Sequence, residues 1–139
     1  MAEVSDELWE LASSALDLAV DCFAAGESNP IVLFIDESGQ QHIVDVKDAQ
    51  GNVTPQLVDS ARGIVAEGIG ASALRYAVVF DGYLTSNGVR LDAAFVEAGE
   101  RGQPESVVFA QRYRVKKRSG TVERVGRPKL VQAAKQLLS

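Results

Sequence analysis

The sequence predicts an α+β fold: one domain over residues 1–139, an antiparallel sheet of about five strands flanked by helices, in the order α-β-β-α-β-β-β-α. Three observations predict it. Apolar residues recur at helical spacing through residues 8–23 and again from Leu57. The run Ile31-Val32-Leu33-Phe34-Ile35 has the composition of a strand covered on both faces. Asn87-Gly88 separates two alternating stretches, which is the strongest short signal for a β-hairpin.

The first helix is expected to start at Ser5, whose hydroxyl can cap it, with Asp6 and Glu7 suiting the positive end of its dipole. Leu8, Leu11, Ala12, Ala15, Ala19, Cys22 and Phe23 share one face. Trp9, Leu16 and Val20 widen it, so the helix is expected to be covered on more than one side, and Gly26 is a natural stop. Pro30 precedes the apolar strand, Asp36-Glu37-Ser38-Gly39 is turn chemistry, and His42 to Lys47 reads as the returning strand.

Thr54-Pro55 begins the second helix with a capping hydroxyl and a proline at the first helical position. Leu57, Ala61, Ile64, Val65 and Gly68 make its inner face, and Gly68 and Gly70 end it. A three-stranded meander follows: about Leu74 to Thr85, Val89 to Glu97 and Ser106 to Lys116, with a longer loop from Ala98 to Pro104. Leu130, Val131, Ala134, Leu137 and Leu138 place a short helix over Pro128 to Leu138. Residues 117–139 are either folded on the body or a basic, partly mobile arm.

If Asn87-Gly88 forms the loop, Ser86 faces Val89, Tyr83 faces Asp92, Phe80 faces Phe95 and Val78 faces Glu97. Tyr76, Val78, Phe80, Leu84, Leu91, Ala93 and Phe95 then share what reads as the core face. Val79, Asp81, Tyr83, Arg90, Asp92 and Val96 fall on the other, expected to be the outer face, with Arg112, Arg114 and Lys116 beside the aspartates.

Composition excludes several classes. The apolar share of 46% and charged share of 24% are those of a globular protein. One cysteine, Cys22, rules out an intramolecular disulfide and a cysteine-based zinc site. No apolar run approaches the length that spans a bilayer, and the acidic N-terminus lacks the basic start of a signal peptide, so a cytoplasmic protein is expected. Gly68-Ile69-Gly70 follows a helix, whereas a phosphate cradle follows a strand and opens one, and no cofactor is expected.

Charge is sorted by position. Residues 1–46 carry ten acids and no Lys or Arg; residues 112–139 carry nine Lys/Arg and one acid, Glu123. With formal charges of −10 and +8, these ends either attract each other within a fold or dimer, or the basic end serves an acidic partner. The candidate partner-binding residues are Arg114, Lys116, Lys117, Arg118, Arg124, Arg127 and Lys129. They could also neutralise nucleic-acid phosphates, although Tyr113 is the only ring in the tract. Asp81 and Asp92, as diagonal neighbours, could split their pKa values or hold a divalent ion. His42 has no nearby Ser or Cys suggesting a triad and reads as a hydrogen-bonded strand residue; Cys22 reads as a small hydrophobe.

The element order is similar to that of profilin-like folds, especially the roadblock/longin group, which implies a five-stranded antiparallel sheet flanked by helices and, in many members, a dimer. The stretch Phe80-Asp81-Gly82-Tyr83 … Val96-Glu97-Ala98-Gly99-Glu100-Arg101-Gly102 … Phe109-Ala110-Gln111-Arg112-Tyr113 resembles sequences of small bacterial proteins, which implies no activity. The functional expectation is a non-enzymatic interaction module acting as a homodimer. The alternatives are an acidic-partner or nucleic-acid binder using the basic tract, and a divalent-ion enzyme using Asp81 and Asp92.

Overall fold

Ser5 caps the first helix as its position requires. Its Oγ accepts the Leu8 amide at 3.1 Å and donates to Glu100 Oε2 at 3.0 Å, so the cap also ties the helix start to the sheet. The computed structural model describes residues 4–24, 29–46, 55–69, 72–115, 122–135 and 137–138. Helix α1 spans Asp6–Ala24 and buries Leu8, Leu11, Ala12, Ala15, Leu16, Ala19, Val20 and Phe23. Trp9 is not covered as expected: it is 41% exposed, at the border of the apolar stripe. Gly26 lies outside the described residues.

Strands β1 (Ile31–Asp36) and β2 (Gln41–Asp45) form the first hairpin. Helix α2 runs over Pro55–Gly63 and widens into a π-helical stretch, Ile64–Ile69. The change comes directly after Gly63, where helix propensity is weakest. Leu57, Ala61 and Val65 face inward, but Gly68 is exposed. Its capping candidate Thr54 lies outside the described residues.

Strands β3 (Ala73–Ser86), β4 (Val89–Glu100), β5 (Glu105–Val115) and β6 (Val122–Lys135) complete a six-stranded antiparallel sheet of order β2-β1-β3-β4-β5-β6. The β3–β4 register is the expected one, Ser86 opposite Val89 through Val78 opposite Glu97. Asn87 and Gly88 both have positive φ, at 52° and 78°, as a tight hairpin turn of matching twist demands.

Two expectations are corrected. Residues from Pro128 to Lys135 are not a helix but the last part of β6, pairing with β5 from Val115↔Val122 to Glu105↔Lys135. The apolar spacing here is short enough to suit either structure, and a strand gives the outer side of β5 a ladder of hydrogen bonds. The sixth strand replaces the third helix. Second, the face read as outer is exposed only toward the hairpin end, at Asp81, Tyr83, Arg90 and Asp92; Val79 and Val96 are buried. Helix α1 covers Val79 and Val96, read as outer, together with Ile31, Leu33, Ala77, Ala94, Ala98, Val107 and Phe109. Helix α2 and Leu138 cover Val32, Tyr76 and Val78 on the opposite face. A strand whose both faces are apolar does not disclose which side a helix takes.

The second face also buries an acid. Glu97, 5% exposed, receives Arg62 of α2 through Nε at 3.0 Å and through its terminal nitrogen at 2.9 Å, both at Oε2. This fork satisfies the carboxylate and fixes α2 over the sheet. No described helix is long and apolar enough to cross a membrane.

Candidate functional site

Strand β6 forms one border of the sheet, and its outer side pairs with no described strand. A border strand presents unpaired N–H and C=O groups that can template another strand. Both halves carry a register irregularity, one opposite Gln111 and one between Leu130 and Gln132, and the first half is blunted further. Gly126 has φ 75° within a register irregularity between Ala110 and Arg112, and Arg127-Pro128-Lys129 follow. Gln111, fully buried, holds this bulge: its Nε2 donates to the carbonyls of Arg112 at 2.9 Å and Gly126 at 3.1 Å. The second half, Leu130 to Ala134, is uncharged. Leu130 is 50% and Val131 46% exposed. Leu130 stands opposite Phe109, whose ring meets that of Trp9 edge-on at 5.1 Å. Trp9, Leu130 and Val131 thus make an exposed apolar margin along β6.

The basic tract is not one patch. Arg124 shares the α1 face with its register partner Tyr113 and forms an ion pair with Asp17 of α1. This contact joins the acidic helix to the basic strand within one chain. Arg114, on the opposite face, pairs with Glu123 at 2.8 Å. Both pairs are largely exposed, so water and salt screen them and each adds little to stability. Arg127 and Lys129 line a cleft with Arg112 on the face away from α1, over Leu84, Ala110 and Val125. Lys116, Lys117 and Arg118 lie outside the described residues. Arg112 was expected beside the aspartates, not in a cleft with Arg127 and Lys129, and Gln111 was not singled out by sequence reasoning. The sequence signal for the bulge that sets their surroundings is Gly126 two residues before Pro128.

The aspartates are arranged differently from expectation. Tyr113, not Arg112 or Arg114, lies on their face and donates its hydroxyl to Asp81 Oδ1 at 2.6 Å. Arg112 pairs in register with Ala93, which puts it on the other side. Partial burial, with the Asp92 charge adding to it, pushes the Asp81 carboxyl above its ordinary value against the Tyr113 bond. Burial first, then the Asp81 bond and charge, holds the Tyr113 hydroxyl far above the ordinary range. Among the described residues, no group of three or more His, Cys, Asp or Glu side chains converges to hold a metal ion.

His42 stacks on Phe34 at 4.6 Å and bonds Asp36 Oδ2 at 2.7 Å. Asp36 Oδ1 also accepts the Ser38 hydroxyl at 2.6 Å and the Gln40 amide at 3.0 Å. These bonds, Ser38's first, hold the Asp36 carboxyl well below the usual range. A serine is therefore near His42 after all, but the carboxylate stands between them, so the histidine does not activate the hydroxyl. The cluster closes the β1–β2 turn. A further cleft of about 270 Å³ lies between α1 and this hairpin, with Glu7 and Glu10 on one side and Arg75 on the other. Arg75 is held by Glu100 at 2.7 Å.

Compared with known proteins, the chain matches no family model, and no curated protein or solved structure matches it significantly.

Proposed function

We propose that this chain is a non-enzymatic interaction module that works as a homodimer, two copies pairing antiparallel along β6. The observation that carries the reading is the open second half of β6, an uncharged run with exposed Leu130 and Val131 beside Trp9. Pairing would give its outer backbone groups partners and remove that margin from water. A second copy is the occupant because the same surface carries both signs. Asp6 lies at helical spacing from Trp9 on α1, and Asp17 of α1 pairs with Arg124 of β6 within one chain, a largely exposed pair that two copies can exchange. A two-fold related surface offers each sign its opposite.

The test is light scattering coupled to size exclusion, comparing the wild type with Leu130→Glu/Val131→Glu. Both side chains are about half exposed, so the substitution acts mainly on association. A wild-type mass of two chains that falls to one in the variant supports the reading. A monomeric wild type contradicts it.

A further inference from the structure

Most arginines whose side chains the structure describes have an assigned partner. Arg62 meets Glu97 and Asp59, Arg75 meets Glu100, Arg114 meets Glu123 and Arg124 meets Asp17. Arg101 donates to the Ala73 carbonyl, and Arg90 lies over the Tyr83 ring at 3.8 Å. Arg112, Arg127 and Lys129 are the exceptions. They have no carboxylate partner among the described residues, and all three line one cleft of about 130 Å³. Three like charges gathered over an apolar floor repel one another. In a chain of net charge −5, these three bases converge with no ion-pair partner among the described residues.

A second observation is independent of the charge count. The Nε of Arg112 is buried without an acceptor. A buried donor left unpaired costs about 1–3 kcal/mol, so such groups call for an explanation. The backbone around it is fixed: Arg112's own carbonyl accepts the buried Gln111 amide, which also bonds Gly126, the residue before Arg127.

We infer that this cleft binds the phosphate group of a small phosphomonoester. A guanidinium supplies paired donors in the fork that a phosphate oxygen pair matches, and lysine adds a point charge. The volume is well below the roughly 300 Å³ of a pocket that encloses a whole drug-sized molecule. It therefore takes the head group and leaves the rest of the ligand outside. The site stands on the face opposite Leu130.

The test is two-dimensional NMR titration with inorganic phosphate, phenyl phosphate and a single-stranded oligonucleotide, at constant ionic strength set with chloride. Saturable shifts centred on Ala110, Arg112 and Val125 are expected with both small phosphates. Lys129→Gln and Arg127→Gln, both at exposed positions, should each weaken binding several-fold, and Arg112→Gln tenfold or more. Arg114→Gln, whose arginine is already paired with Glu123, should leave it unchanged. Absence of saturation, or equal binding by wild type, Lys129→Gln and Arg127→Gln, overturns the site. Saturation by the oligonucleotide but by neither small phosphate overturns it in favour of a polymer backbone.

Discussion

The ring of Tyr76 on β3 lies over Gly99, its register partner on β4, so closely that a Cβ on Gly99 would overlap it. The Tyr76 hydroxyl accepts the Leu137 amide at 3.3 Å, and the side chain is fully buried. One ring thus joins the sheet centre to the C-terminal residues, and Gly99 is the space it occupies. Gly99→Ala should destabilise the fold by about 1–3 kcal/mol, the range of overpacking in a core that cannot give. Urea unfolding measures it. Tyr76→Leu in the Gly99→Ala background should restore part of the loss, because the two sites share one volume.

Removing Arg62 should be costly out of proportion to its exposure. Arg62→Ala leaves Glu97 buried without its fork, and a loss of about 2–4 kcal/mol is expected, below the full value for a wholly buried pair because Arg62 is partly exposed. Arg62→Met/Glu97→Met should lose less than the two single changes together. Thermal or urea unfolding of the four proteins completes the cycle.

Much of this fold is legible from local chemistry. Ser5, Pro55 and Asn87-Gly88 place three element boundaries or turns, because each acts on its own backbone neighbours. The β3–β4 register also follows, since a two-residue loop leaves one pairing. Layering is not legible. Val79 and Val78 are equally apolar, and only long-range packing assigns one to α1 and the other to α2. The final strand was missed because Leu130 to Leu138 carries a spacing compatible with either period, while its ladder depends on β5. Of the site, the basic residues are evident in sequence. Their division is not: Arg124 goes to Asp17, Arg114 to Glu123, and Arg127 and Lys129 to the cleft with Arg112.

Two carboxylates should impose opposite slopes on stability against pH. Asp36 is depressed below its ordinary 3.8, so its contribution is present above 3.8 and is lost as pH falls below that toward the folded value. Asp81 is raised above 3.8, so the folded state holds its proton more tightly than the unfolded state. Its contribution is full below 3.8 and declines as pH rises through the folded value. Asp36→Asn should flatten the acid side of the stability profile. Asp81→Asn should remove the decline above 3.8 and keep an acceptor for the Tyr113 hydroxyl. Urea unfolding from acid to neutral pH resolves both.

Gln111 should matter through the backbone it holds. Gln111→Leu removes a buried amide that donates to Arg112 and Gly126 carbonyls, and about 1–3 kcal/mol of destabilisation is expected. Hydrogen exchange should rise first at the bulge around Gly126, with the β3–β4 hairpin unaffected.

Pairing of two copies along β6 is read out by the mass in solution. Size exclusion with light scattering at low and moderate salt should give two chains for the wild type and one for Leu130→Glu/Val131→Glu. A wild type that runs as a single chain at every concentration, or a variant that remains a dimer, would contradict that pairing.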